Sequence, residues 1–313
     1  MRRGVQALLP ARILHYSAQP SHRPECRPLT SAFTLSEPSR WTSPAVFSSP
    51  HSGDRYPAEF LATTELDPMS IRSSEDAFVD RLFATAPSHG APLLAATLPR
   101  AYVDLNRGAD ELDPALIVGA QRRGANPRVA AGLGVIPRVV SEGRPIRSGK
   151  IPLREAFRRL RHGYHPYHAQ LDTLLARQRD AFGHAILIDC HSMPHDAVGA
   201  APLVRGRRPE VILGDRFGAA CGRWLIDGAA ELFAGQGFVV ARNAPFAGGY
   251  ITQQYGRPAR GVHALQIEID RALYMDERRL APRHDYDDVA ARIDAVVAGL
   301  SRLMDAATPL AAE

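Results

Sequence analysis

Two short apolar runs in this chain each open onto a histidine. Ala45, Val46 and Phe47 lead into Pro50-His51-Ser52-Gly53, and Ala185, Ile186, Leu187 and Ile188 lead into Asp189-Cys190-His191-Ser192. Short apolar runs of this kind read as buried strands, and in open α/β sheets the rim at the carboxyl ends of the strands is where ligands bind. Both histidines are expected where a strand gives way to a loop on that rim. Imidazole and carboxylate groups there can hold a divalent ion and leave one position open for water. The plainer reading is two ordinary loop histidines among the twelve in the chain.

A metal site of this kind needs an acidic partner. The stretch Ser73 to Phe83 reads as a helix start, with Ser73 or Ser74 as the cap, Glu75 and Asp76 in the first turn, and Phe78, Leu82 and Phe83 as an apolar face. Acids in a first turn ordinarily complement the helix dipole, so either one can be structural. A second acidic signal lies in Ala264 to Arg271. Leu265, Ile267 and Ile269 alternate there with Gln266, Glu268 and Asp270, the pattern of a strand. Carboxylates on a covered sheet face are costly unless paired. Glu268 therefore either meets an arginine or serves as a general base toward an activated water.

Seven segments carry a family resemblance: SSPHSGDRYP (48 to 57), SEDAFVDRLF (74 to 83), RAYVDLNR (100 to 107), GLGVIPRVV (132 to 140), YHPYH (164 to 168), LIDCHSMP (187 to 194) and LQIEIDRALYMDE (265 to 277). In this order they resemble the N-formylglutamate amidohydrolases, a family whose fold is similar to that of zinc carboxypeptidases. The resemblance implies one divalent metal, zinc before others, held by His51, His191 and an acid that is either Glu75 or Asp76. It implies Glu268 as the catalytic carboxylate acting on metal-activated water. It also implies that Asn106 and Arg107 grip a substrate carboxylate, a task that suits the planar guanidinium fork. Asp104 or Asp110 can instead tie Arg107 into a structural pair. Arg138 and Arg271 are the further candidates for a second substrate carboxylate, and Tyr250 and Thr252 are candidate substrate contacts on a mobile Gly248-Gly249 loop. The activity implied is hydrolysis of N-formyl-L-glutamate, or a related N-acyl amino acid, to formate and the amino acid, with a place in histidine catabolism. A deacylase for another N-acyl amino acid or small peptide, and a non-catalytic metal-binding relative, are the rival readings.

The fold expected is a single three-layer α/β domain over residues 41 to 313, with a mostly parallel or mixed central sheet and helices on both faces. Residues 153 to 182 read as helix interrupted at Gly163 to Pro166, residues 217 to 233 as a helix with Phe217 in its core face, and residues 286 to 306 as a last helix. His162, His165 and His168 read as structural, because the Gly and Pro between them disrupt the helix that would align them.

Net charge is +5, but residues 1 to 40 hold six arginines against two glutamates, which leaves the rest nearly neutral. Lys150 is the only lysine, and no nucleic-acid motif accompanies the arginines, so the partner expected is a small molecule. The first 40 residues are rich in Pro, Ser and Arg and read as a disordered extension, with some likeness to an organellar presequence. Three scattered cysteines, Cys26, Cys190 and Cys221, form no disulfide framework, and no apolar stretch approaches the ~18 residues of a membrane span. A cytoplasmic home follows most simply.

Overall fold

The computed structural model describes residue 1 and residues 31–121, 124–199 and 201–303. Cys26 and the start of the basic extension lie outside them. Seven strands make the central sheet: β1 (Phe33–Ser36), β2 (Ala45–Ser49), β3 (Leu93–Ala96), β4 (Ala185–Met193), β5 (Val211–Gly214), β6 (Val240–Arg242) and β7 (Val262–Asp270). Their spatial order is β1-β3-β2-β4-β7-β5-β6. Strands β3, β2, β4 and β7 run parallel, β1 is antiparallel to β3, and β5 is antiparallel to β7 while β6 follows β5. This is the mixed sheet of a single α/β domain.

Two apolar layers cover it. Phe47, Ile188, Cys190, Leu265, Ile267 and Ile269 face one side and pack against Leu225 and Phe233 of helix Arg223–Gly235 and against helix Tyr286–Leu300. In the latter, Val289, Ile293, Val296, Val297 and Leu300 recur at helical spacing and are all buried, a stripe worth about 1.5–3 kcal/mol per side chain. Val46, Leu94, Leu187 and Ala264 face the other side, under Tyr167, Leu171, Leu174 and Leu175 of helix His165–Phe182. Cys190 is a buried core residue, as its place in the strand alternation implies.

The expected break in the long helix takes a different form. Helices Leu153–Arg159 and His165–Phe182 are joined by a π-helical turn at Leu160–Tyr164, just ahead of Pro166, which has no N–H to donate to the preceding turn. The widened turn aims Tyr164, Tyr167 and His168 inward, and all three are buried.

Three expectations need correction. The disordered extension does not run to residue 40: β1 pairs with β3 from Phe33, and Phe33 and Leu35 pack under the sheet because Phe-Thr-Leu-Ser alternates as an edge strand should. Phe217 is 80% exposed and left-handed (φ 57°), and the helix begins six residues later at Arg223. The helix expected from Ser73 shrinks to Val79–Leu82, because Phe78 takes a left-handed conformation (φ 67°) that no α-helix continues through. Among the described residues, no helix is long and apolar enough to cross a membrane.

Candidate active site

The inner-facing residues of the sheet change character toward the carboxyl ends of the strands. Below, that face carries Val46, Leu187 and Ala264; above, it carries Ser48, Asp189, His191, Gln266 and Glu268. His191 and Glu268 are register partners on adjacent parallel strands, so the sheet itself fixes them side by side. His191 therefore projects from within β4 rather than from the loop beyond it. His51 does sit in a turn, just past the end of β2. That turn runs hard against the neighbouring segment: a Cβ on Gly53 would collide with the Leu98 carbonyl, so only glycine fits there.

The left-handed Phe78 turns the preceding residues out of a helical path and separates the two candidate acids. Asp76 swings toward the histidines, with its backbone N–H donating to the His51 carbonyl at 3.0 Å. Glu75 faces away and is occupied there. It accepts hydrogen bonds from the Tyr56 hydroxyl (2.6 Å) and from Arg72 Nε and Nη2 (3.0 and 2.9 Å). The structure thus brings Asp76, not Glu75, to His51 and His191.

These three side chains are buried, and one donor atom from each lies within 4.8 Å of the others. His191 Nδ1 donates to Asp76 Oδ2 at 2.9 Å, and His51 Nδ1 is 3.5 Å from the same oxygen. His51 Nδ1 is buried and has no hydrogen-bond partner. The far nitrogen of His51 is held by a carboxylate, its Nε2 donating to Asp104 Oδ1 at 2.9 Å, while His191 Nε2 lies 3.1 Å from Asp189 Oδ2, whose oxygens accept no hydrogen bond among the described residues. An imidazole whose outer N–H is held by a carboxylate presents a basic inner nitrogen, the usual preparation of a metal-binding histidine. That nitrogen of His51, His191 Nδ1 once it gives up its proton, and an Asp76 oxygen suit a divalent cation, and the orphaned His51 Nδ1 is the atom such an ion would satisfy.

Charge is balanced around this cluster. Arg271 Nη2 donates to Asp76 Oδ1 at 3.0 Å and its Nε to Ser192 Oγ at 3.1 Å, while Arg100 Nε donates to Asp104 Oδ2 at 3.0 Å. Burial works to raise the Asp76 pKa, but the two neighbouring histidines, His191 and His51, outweigh it and hold the carboxyl well below its usual range. Glu268 behaves oppositely. Burial, reinforced by nearby Asp76 and opposed by His191, pushes it up to about 7. Its Oε1 accepts from Gln266 Nε2 at 2.8 Å and no arginine among the described residues contacts it, which speaks against the structural ion-pair reading.

A cleft of about 520 Å³ opens over these groups, lined among others by Asn106, Arg107, Arg128, Phe246 and Gly249. Asn106 is a junction: its Nδ2 donates to His191 Nε2 at 3.1 Å, and its Oδ1 accepts from the Ile251 N–H at 2.7 Å. Arg107 is aimed by carbonyls, its Nε donating to Leu133 O at 2.9 Å and its Nη1 to Asn106 O at 2.7 Å, so neither Asp104 nor any other acid ties it by direct contact.

Three expected contacts are not brought here. Arg138 points away, its Nε donating to Asp113 Oδ2 at 2.8 Å. Tyr250 and Thr252 belong to a helix, Tyr250–Tyr255, rather than a mobile loop. Thr252 is fully buried with its hydroxyl on Gly249 O, and Tyr250 packs near His168. The glycines before them are pinned: Gly249 N–H donates to Gln266 Oε1 at 2.7 Å, and a Cβ there would come within 2.5 Å of the Asn106 side chain. Sequence reasoning missed Arg100, Asp189, Gln266 and Arg128, and weighed Asp104 only as a partner for Arg107. Strand alternation held the signal for two of them, since Asp189 and Gln266 lie two residues before His191 and Glu268.

The fold and its rim define an α/β protein with a histidine–carboxylate cluster suited to a cation. Residues 43–275 match the model of the N-formylglutamate amidohydrolase family, and the chain belongs to that family. It is 34% identical to an N-formylglutamate deformylase of Pseudomonas aeruginosa over 265 residues, 81% of this chain and 90% of that one. A Pseudomonas putida N-formylglutamate deformylase is 32% identical over 241 residues, 75% of this chain and 82% of its own length. The crystal structure of N-formylglutamate amidohydrolase from Ralstonia eutropha JMP134 superposes with a TM-score of 0.80 at 35% identity, covering 86% of this chain and 96% of that one.

Proposed function

We propose that this chain is a metal-dependent amidohydrolase that releases formate from N-formyl-L-glutamate or a closely related N-acyl amino acid. The observation that carries the reading is the convergence of His51 Nδ1, His191 Nδ1 and Asp76 Oδ2 beside a buried glutamate of raised pKa. His51, Asp76 and His191 would hold the ion, and zinc suits this donor set, as cobalt, manganese and iron also can. A bound divalent ion supplies Lewis acidity toward a carbonyl oxygen and makes water easier to deprotonate.

The protein's own groups do the rest. Glu268 takes a proton from the attacking water and delivers it to the nitrogen of the leaving amine as the formyl C–N bond breaks, giving formate and the free amino acid. Its burial matches it to that task, because a carboxylate shifted toward neutrality both accepts and returns a proton readily. Gln266 orients it through the 2.8 Å hydrogen bond. Arg107, already directed by two carbonyls, keeps Nη2 for a substrate carboxylate, and Asn106 fixes the rim on which that carboxylate lies.

The relatives named above as deformylases support the substrate. The deciding experiment measures bound metal by elemental analysis and formate release from N-formylglutamate, before and after chelation. The expected outcome is about one ion per chain, chelator-sensitive turnover, and recovery on adding zinc. A folded protein that binds no ion and releases no formate ends this reading. Turnover of a panel of N-acyl amino acids ranks the acyl group.

A further inference from the structure

Four guanidinium groups line the cleft: those of Arg100, Arg107, Arg128 and Arg271. Two are matched by carboxylates in contact, Arg271 by Asp76 and Arg100 by Asp104, each at 3.0 Å. The other two are not. Arg107 is held by backbone carbonyls alone, and Arg128 is exposed with no carboxylate contact among the described residues. Of the two other acids in the cleft, Glu268 is bonded to Gln266 at the histidine cluster, and Glu142 is turned to solvent, 83% exposed and 3.9 Å from Arg144. The cleft therefore presents two guanidinium groups that no carboxylate contacts among the described residues.

Their placement is ordered. Arg100 reaches the histidine cluster through Asp104, which also holds His51, and Arg107 follows Asn106, whose side chain meets His191. Arg107 lies within the field of Asp104, Arg100, Arg128 and Glu111. One carboxylate ties the loops of Arg107 and Arg128 together. Glu111 Oε1 accepts the N–H of Gly108, the residue after Arg107, at 2.9 Å, and its Oε2 accepts from Asn126 Nδ2 at 3.0 Å. Asn126 in turn caps the short helix Pro127–Ala130 that carries Arg128, its Oδ1 accepting from the Arg128 N–H at 3.0 Å. Glu111 and Asn126 thereby lock the spacing of the two loops that bear the unmatched charges.

Two guanidinium groups on loops of locked spacing, neither in contact with a carboxylate, are complementary to a dianion. We propose that Arg128 is the specificity residue that reads a second carboxylate on the substrate. With the scissile amide at the His51–Asp76–His191 cluster and the α-carboxylate on Arg107, a dicarboxylic N-acyl amino acid extends its side-chain carboxylate to Arg128. Arg138 and Arg271, the candidates for this role by sequence, are committed to Asp113 and Asp76. The proposal rests on the hydrolase reading for the placement of the amide, but not for the binding of the diacid.

The test compares the metal-loaded wild type with Arg128→Gln in two ways. Steady-state kinetics gives the ratio of kcat/KM for N-formylglutamate over N-formylglutamine, which differ in charge at one end only. Calorimetry gives the affinity for glutarate against butyrate, with no chemistry involved. The expected result is that Arg128→Gln lowers both preferences about 10- to 100-fold, the range for one charge-assisted hydrogen-bonded contact. A variant that keeps the wild-type preferences, or a wild type with no preference for the diacid, overturns the proposal. A wild type that hydrolyses no N-formyl amino acid sinks the hydrolase reading instead, and the glutarate comparison then still decides the role of Arg128.

Discussion

Two of the buried histidine centres of the molecule differ in the company they keep. At the sheet rim, His51 and His191 are surrounded by carboxylates: Asp76 between them, Asp104 and Asp189 behind them. In helix His165–Phe182, His168 meets none. Its Nε2 donates to the Leu105 carbonyl at 3.0 Å and its Nδ1 accepts from the Tyr255 hydroxyl at 2.8 Å, so the neutral ring is fully satisfied. The consequences run in opposite directions. Burial depresses the His168 pKa to about 4, while at the rim Asp189 and Asp76 overcome the same burial and raise His191 well above its ordinary value. A neutral ring with both nitrogens occupied is an element of packing. Rings backed by acids, with one inner nitrogen left without a partner, are prepared for a cation. What separates the two is the company of carboxylates rather than burial, which is common to both.

Substitutions can break this contrast at graded cost. The largest effect is expected for Glu268→Gln, which keeps the shape of the rim but cannot move a proton: formate release falls by about 10²–10⁴-fold while elemental analysis still finds the ion. Asp104→Asn tests the acids behind the histidines. Metal affinity, read by competition with a chromogenic chelator, falls by about 10- to 100-fold with the fold intact by circular dichroism. An unchanged affinity in that variant refutes the claim that carboxylate backing distinguishes the rim.

Stability against pH probes the other centre. The folded-state His168 pKa of about 4 lies below its ordinary 6.5, so between these values the unfolded chain binds a proton that the native protein refuses. Native stability should therefore fall as pH drops from 6.5 toward 4, by up to about 3 kcal/mol from this residue, and change no further below. Urea titrations at several pH values measure it, and His168→Gln should flatten that part of the profile. The smallest effect belongs to exposed His165: replacing it with Ala should shift stability by less than about 0.5 kcal/mol and leave metal affinity alone.

Periodicity made much of the architecture legible. Apolar runs gave β2, β4 and β7, and alternation in Leu265 to Asp270 correctly divided Glu268 from the core. The last helix followed from the spacing of Val289, Ile293 and Val296. Local reasoning failed where the chain departs from a regular period. Nothing in Ser73 to Phe83 announces a left-handed Phe78, yet that single residue decides which of two adjacent acids faces the histidines. Likewise the glycines at 248 and 249 suggested mobility, whereas close contacts are what require them, Asn106 against Gly249 and Thr252 against Gly248. Arg128 was invisible for the same reason. Its significance is the lack of an acidic neighbour, and neighbours across the fold are not written in the local sequence.

The short strand β1 has a consequence for handling the protein. It contributes only four residues, yet its pairing with Leu93–Ala96 occupies backbone groups that would otherwise line an open flank of the sheet. A chain begun at residue 41 would keep every residue of the rim and expose that apolar strand as a template for a second molecule. Its failing would then be clumping at high concentration, with catalysis intact in whatever stayed dispersed.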